Sequence, residues 1–150
     1  ASHTGALLAC QGNAAICEER IEAMRLFGLH FGMAYQLLDD WLDYRGDSKS
    51  MGKNVGDDLA EGKLTLPLIH ALQNAATDDK AGVRDAIENK TVAALPSILR
   101  IVDKCGGLDY TRACAKKEIE TALQCLEQIP DNDYRAALVQ LSHYSLSRLG

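Results

Sequence analysis

The sequence predicts an all-α protein. Every long segment repeats its apolar residues with the period of an α-helix, and none keeps the strict alternation that is typical of a strand. Glycine or proline stands where several helices are expected to end, at Gly46, Gly106 and Pro130. The 150 residues, 47% hydrophobic and 25% charged, suffice for one globular domain or part of a larger one.

The expected elements follow in chain order. A helix rich in small residues covers Ser2 to about Cys17, and a long helix runs from Glu18 to about Tyr44, with acidic residues at its start. Residues 45–63 form the longest irregular stretch, and loops of that length are usually functional or disordered. Further helices are expected over 64–74, from a cap at Thr77 to 89, over 92–104 and 109–129, and from a cap at Asp131 or Asn132 to about 149.

Charge and composition exclude several classes of function. The net charge of −5 argues against general nucleic-acid binding, which needs a basic face. No apolar run approaches the length of a membrane span, and no signal peptide is expected. The five cysteines form no CxxC pair, so they are interpreted as reduced thiols of a cytoplasmic protein rather than a disulfide framework or a zinc site.

Three carboxylates lie on one arc of the long helix. At about 100° per residue, with Asp39 at zero, Asp43 lies near 40°, Gln36 near 60° and Asp40 near 100°. Like charges one turn apart repel each other, and carboxylates are seldom buried unless they are paired. Their oxygen atoms suit a hard cation, and Mg2+ is usually held by one or two carboxylates plus the phosphates of a substrate. The alternative is a solvated helix face.

Two lysines follow on glycine-flanked backbone. Lys53 follows Gly52 and Lys63 follows Gly62, both within the loop after the acidic helix. Lysine is a common phosphate ligand, and carboxylates alone would repel a diphosphate. Acidic residues that bind a metal ion, with lysines beside them, would hold a metal-bridged diphosphate. From the pattern alone, ordinary surface lysines remain the alternative.

Three segments together resemble the trans-type polyprenyl diphosphate synthases. They are Tyr35–Asp43 (YQLLDDWLD), Gly52–Asp58 (GKNVGDD) and Glu61–Pro67 (EGKLTLP), in the same order and spacing. The second and third look most like the octaprenyl diphosphate synthase branch. The resemblance runs from about Thr4 to the C-terminus and implies the C-terminal half of an isoprenoid-synthase helical bundle, with about six helices, over residues 1–150.

The resemblance also implies roles for particular residues. Asp39, Asp40 and Asp43 match the second of the family's two aspartate-rich motifs, which binds Mg2+ bridged to an allylic diphosphate, and Asp58 matches an acid near the metal cluster. Substrate-binding positions of the family fall on four residues: Thr4, Gln36, Lys53 and Lys63. The implied reaction expels diphosphate from the allylic substrate, after which the double bond of isopentenyl diphosphate attacks the cation and a proton is lost.

The chain departs from the family pattern in two places. His3 stands where the family has a lysine before Thr4, and the first aspartate-rich motif is absent from the 150 residues. The expectation is therefore that this chain alone transfers no prenyl group and self-associates through exposed apolar faces. The resemblance implies that its parent is a homodimer.

Two other functions compete with the prenyltransferase. A non-catalytic subunit would supply one half-site or a helical interface to a separate catalytic chain. A terpene cyclase would share the all-α architecture and the acidic metal motifs, but the spacing from Gly52-Lys53 to Glu61-Gly62-Lys63 argues against it.

Overall fold

The computed structural model describes residues 14–45 and 57–149. Across these two ranges the regular structure is helical and no strand occurs, which confirms the predicted all-α class. The predicted first helix up to residue 13, most of the predicted loop, and the candidate residues Thr4 and Lys53 lie outside the described ranges.

Seven α-helices occupy the described ranges. Their bounds are α1 (Ala14–Arg45), α2 (Asp57–Glu61), α3 (Leu66–Asn74), α4 (Thr77–Glu88), α5 (Leu95–Lys104), α6 (Gly107–Leu126) and α7 (Asp133–Ser147). A single 3-10 turn, Val92–Ala94, precedes α5. The cap predicted for the last helix is Asn132, whose side chain accepts a hydrogen bond from the backbone N–H of Arg135 at 2.9 Å.

Several predicted boundaries are wrong. Helix α1 is continuous through Cys17 and Glu18, where a new helix was expected, because that segment contains no glycine or proline to interrupt it. The N-cap of α4 is Ala76, and Thr77 is already helical. Helix α6 begins two residues before the expected Asp109 and ends at Leu126 instead of residue 129.

The chain divides into two compact units, residues 1–36 with 114–150 and residues 37–113. The core of the second unit gathers buried side chains from the end of α1 and from α2 to α5: Tyr44, Leu59, Leu68, Ala71, Val83, Ala86, Ile98 and Val102. In the first unit, Phe27 packs with Ala122 and Leu126, and its ring stacks on that of Phe31 at 5.6 Å between centroids. No helix within the described ranges has the length and apolar character needed to cross a membrane.

Candidate functional site

The acidic end of α1 is buried with the apolar residues that surround it. Leu38, Trp41 and Tyr44 belong to the buried side chains of the protein. Because these residues lie on the same two turns as the aspartates, their burial carries Asp40 and Asp43 inward, to 8% and 7% exposure. Asp39 is only half-buried. The acidic arc predicted from the sequence therefore has two buried carboxylates and one that reaches solvent.

Next to Asp43, the buried side chain of Tyr44 carries a hydroxyl group. It forms a hydrogen bond with Thr65 Oγ1 at 3.0 Å inside the protein. Burial is the main cause that raises the pKa of Tyr44 above its ordinary value, and the charges of Asp43, Asp58 and Asp40 raise it further, while the hydrogen bond to Thr65 opposes the shift. Carboxylates from α1 and α2 thus act on one buried hydroxyl group.

The N-terminus of α3 also faces these acids. The backbone N–H of Leu66 donates a long hydrogen bond of 3.5 Å to Asp40 Oδ2. A helix N-terminus carries partial positive charge and stabilises a nearby anion. This hydrogen bond holds Asp40 against the start of α3.

Lys63 is bound to two acidic side chains of α2. Its Nζ lies 3.0 Å from Asp58 Oδ1 and 2.6 Å from Glu61 Oε2. These hydrogen bonds, first the one to Glu61 and then the one to Asp58, raise the pKa of Lys63, so the ammonium group stays charged. The backbone N–H of Lys63 also donates to the carbonyl of Asp58 at 2.8 Å. Lys63 and Asp58 are therefore connected through both backbone and side chain.

The structure brings some of the predicted site residues together. Five of the described site residues lie in the second unit, namely the three aspartates of α1, Asp58 and Lys63, and Lys63 is bound to Asp58. Gln36 is exposed and belongs to the first unit. Thr4 and Lys53 fall outside the described residues, so their predicted roles stay predictions.

The carboxylate oxygens suit a hard cation that takes its remaining ligands from a substrate. Within the described ranges, no three carboxylate, histidine or cysteine side chains form a group that would hold a metal ion by themselves. Mg2+ needs no such group, because one or two carboxylates plus substrate phosphates complete its shell. Two buried carboxylates with Asp39 at the solvent edge fit that role, since burying charge is costly unless a counter-charge compensates it.

Sequence reasoning missed two residues of this cluster, Tyr44 and Thr65. Tyr44 directly follows Asp43, and Thr65 lies two residues after Lys63. Thr65 lies within a motif and Tyr44 directly follows one, but neither was assigned a role, because neither an aromatic residue nor a threonine signals metal or phosphate chemistry by itself. Only their mutual hydrogen bond shows that they connect the acidic helix to the lysine segment.

Comparison with known proteins gives consistent matches. The family model described as Polyprenyl synthetase matches residues 2–102. The chain is 44% identical over 144 residues to an all-trans-nonaprenyl-diphosphate synthase (geranyl-diphosphate specific) of Rhodobacter capsulatus, covering 95% of this chain and 44% of that protein. It is 40% identical over 141 residues to the octaprenyl diphosphate synthase of Escherichia coli, covering 93% of this chain and 44% of that protein.

A solved structure agrees with these sequence matches. The polyprenyl synthase of Caulobacter crescentus, solved with calcium and isoprenyl diphosphate, superimposes with a TM-score of 0.78 at 35% identity, covering 93% of this chain and 42% of that one. The chain therefore spans less than half the length of the relatives that it matches.

Proposed function

The chain belongs to the polyprenyl synthetase family, and we propose that it supplies the part of a polyprenyl diphosphate synthase that binds the leaving diphosphate. The observation that carries this proposal is the burial of three carboxylates, those of Asp40, Asp43 and Asp58, with Lys63 Nζ bound to Asp58 at 3.0 Å. Because the chain spans 44% of its relatives' length, the activity is proposed for the whole protein.

The whole protein would condense an allylic diphosphate with isopentenyl diphosphate. The carbon–oxygen bond to diphosphate breaks, the electron pair leaves with diphosphate, the double bond of isopentenyl diphosphate attacks the allylic cation, and loss of a proton completes each addition. Mg2+, when bound by Asp39, Asp40 and Asp43 with Asp58 beside it, supplies positive charge to the leaving group. Calcium accompanies isoprenyl diphosphate in the Caulobacter structure, which supports use of a divalent ion.

The residues of this chain would orient the diphosphate and balance its charge. An ammonium group has three N–H donors, and Asp58 and Glu61 accept two of those of Lys63. Lys63 can therefore point a donor at a phosphate oxygen while its position is held by the two acids. The Tyr44 hydroxyl is neutral at neutral pH, and its raised pKa keeps it so in alkaline solution, so it adds no negative charge to a site that has to accept an anion.

The product is proposed to be a long-chain polyprenyl diphosphate of the octaprenyl type. The loop motifs resemble that branch, and the Escherichia coli relative is an octaprenyl diphosphate synthase. The Rhodobacter relative is a nonaprenyl synthase, so a product one isoprene unit longer is the competing outcome. Chromatography of the product formed by the intact protein, after removal of its diphosphate, distinguishes the two lengths.

Calorimetry tests the site separately from the reaction. The intact protein is titrated with pyrophosphate in the presence of Mg2+ and again after the metal has been chelated. We expect uptake only with the metal, and prenyl transfer that stops in the chelator and returns when Mg2+ is added. The 150-residue chain alone is expected to show no turnover. Metal-independent uptake by the intact protein, or no uptake at all, would contradict the proposal.

A further inference from the structure

Helix α2 ends in a turn that presents Lys63. Gly62 N–H donates to the carbonyl of Leu59 at 3.0 Å, and Lys63 N–H donates to that of Asp58 at 2.8 Å. This pair of bonds, with Gly62 at φ +75°, is the Schellman ending of a helix. Glycine suits the position because it adopts a positive φ at little cost.

Helix α4 ends in the same kind of turn, with a different residue at the left-handed position. Lys90 N–H donates to the carbonyl of Ile87 at 3.3 Å, and Thr91 N–H donates to that of Ala86 at 3.0 Å. Lys90 has φ +50° and is the one non-glycine residue of the described ranges with a positive φ. Glycine or asparagine normally occupies this position, because the left-handed conformation brings a Cβ atom too close to the following carbonyl oxygen. The need to end α4 does not by itself explain why a lysine occupies position 90.

The side chain of Lys90 fills the space in which a side chain at position 62 would lie. A Cβ atom built on Gly62 would lie 3.0 Å from Lys90 Cε, 3.5 Å from Lys90 Cγ and 3.6 Å from the carbonyl oxygen of Ile87. The aliphatic stem of Lys90 therefore lies beside Gly62, on the side where glycine has no side chain of its own. Lysine stems commonly cover apolar surface in this way while the ammonium group stays in water.

We propose that Lys90 is a positioning residue that acts through Gly62 to hold Asp58 and Lys63 in their diphosphate-binding arrangement. The ligand in this inference, a diphosphate, rests on the proposed function, whereas the packing of Lys90 beside Gly62 does not. Lys63 is the next residue after Gly62, and the same turn ties it to Asp58. A lysine at the left-handed position costs conformational free energy, and the contact with Gly62 is what compensates for it.

Lys90→Gly separates this role from simple helix ending. If Lys90 only terminates α4, glycine should leave the protein unchanged or stabilise it, because glycine favours a positive φ. If Lys90 holds the Gly62 turn, the amides of Gly62 and Lys63 should exchange with solvent about tenfold faster in the variant, measured relative to the buried amide of Val102. Lys90→Arg keeps the aliphatic stem and should keep the protection.

Lys117 provides a control for the loss of a lysine. It is an exposed residue of α6, and Lys117→Ala should leave the exchange of Gly62 and Lys63 unchanged. Unchanged protection of both amides in Lys90→Gly would overturn the inference.

Two glycines of similar backbone conformation provide a second comparison. Gly106 has φ +74°, and a Cβ built there meets nothing within 4 Å, whereas one on Gly62 meets Lys90. Both alanine variants carry the backbone strain, but only Gly62→Ala displaces the lysine stem. We expect Gly62→Ala to accelerate exchange at Lys63, and Gly106→Ala to leave it unaltered. An equal effect of both variants on Lys63 would contradict the proposed contact.

Binding of pyrophosphate with Mg2+ to the intact protein completes the test. Lys90→Gly should weaken pyrophosphate binding about fivefold, because the free energy that such a contact contributes to ordering the turn is about that of one hydrogen bond. Lys90→Arg should bind as wild type does. If the wild-type protein takes up no pyrophosphate, the proposed function fails, and the exchange measurement alone still decides whether Lys90 holds the turn. Full binding by Lys90→Gly would overturn the positioning role.

Discussion

The two halves of α1 differ in which side chains they expose and which they bury. In the upstream half, Leu29, Met33 and Tyr35 are apolar or aromatic and yet 46%, 45% and 54% exposed. In the downstream half, Asp40 and Asp43 are charged and yet only 8% and 7% exposed. Each half reverses the usual rule that large apolar side chains are inside and carboxylates outside.

The difference lies in what each reversal costs. Exposed apolar side chains lose only the favourable free energy of burial, and scattered ones are common on protein surfaces. A buried carboxylate loses its hydration, which costs far more unless other groups replace it. The downstream half carries the acids of the proposed site, whereas the upstream half offers at most a surface available for packing.

The largest expected effect comes from neutralising the buried acids. Asp40→Asn and Asp43→Asn should each lower prenyl transfer by the intact protein about 100-fold or more, because each removes a charge that would hold the metal-bound leaving group. The same variants should raise the free energy of unfolding by about 1 kcal/mol, since an amide costs less to bury than a carboxylate. Steady-state kinetics and urea unfolding measure the two effects.

Asp78→Asn is the matched control for these substitutions. Asp78 lies in the exposed first turn of α4, where its charge favours the helix N-terminus. The substitution should leave turnover unchanged and lower stability by about 0.5 kcal/mol. Normal turnover in both Asp40→Asn and Asp43→Asn would remove the functional explanation for the buried acids.

The next effect concerns the lysine that accompanies the acids. Lys63→Met should weaken Mg2+-dependent pyrophosphate binding about tenfold, because it removes a charge-assisted donor to phosphate oxygen. Lys104→Met is the control, since Lys104 also pairs with an aspartate, Asp79, at 3.0 Å. Calorimetry that gives equal affinities for both variants would show that Lys63 acts only as a surface ion pair.

A smaller effect is expected at the base of the acidic cluster. Tyr44→Phe removes the hydrogen bond to Thr65 and should lower the free energy of unfolding at neutral pH by about 1 kcal/mol. Folding raises the pKa of Tyr44, so its contribution is complete below the unfolded value near 10.0 and is lost progressively as pH rises above it. The stability of wild type should therefore fall more steeply above that pH than that of the variant.

The control for Tyr44 is Tyr134, which is 84% exposed. Tyr134→Phe should leave both the neutral stability and the alkaline slope within error of wild type. Parallel alkaline slopes for wild type and Tyr44→Phe in chemical unfolding would mean that the Tyr44 hydroxyl is no more protected from ionisation in the folded protein than in the unfolded chain.

The smallest effect on stability belongs to the upstream half of α1. Leu29→Ser with Met33→Ser should change the free energy of unfolding by no more than about 0.5 kcal/mol, as is usual for exposed positions. If the chain alone self-associates through this face, the double variant should lower the apparent mass in light scattering. Gln140→Ser, an exposed polar change in α7, is the control. A wild-type chain that is monomeric over a wide concentration range would contradict self-association.

The helical repeat of apolar residues predicted which segments are helical better than it predicted every helix boundary. The ends of α3 and α5 at Asn74 and Lys104, and the cap at Asn132, followed from local signals. Helix α2 was missed because a helix of five residues is unstable alone. It forms here around Leu59, which is fully buried in the core of the second unit.

The sequence by itself determined the helical class and the common arc of Asp39, Asp40 and Asp43, because helix geometry depends only on spacing along the chain. Tertiary structure decided that Tyr44 and Thr65 meet, that the backbone N–H of Leu66 faces Asp40, and that the stem of Lys90 lies beside Gly62. These residues are separated by turns and a long loop, so packing of the second unit, rather than local periodicity, brings them together.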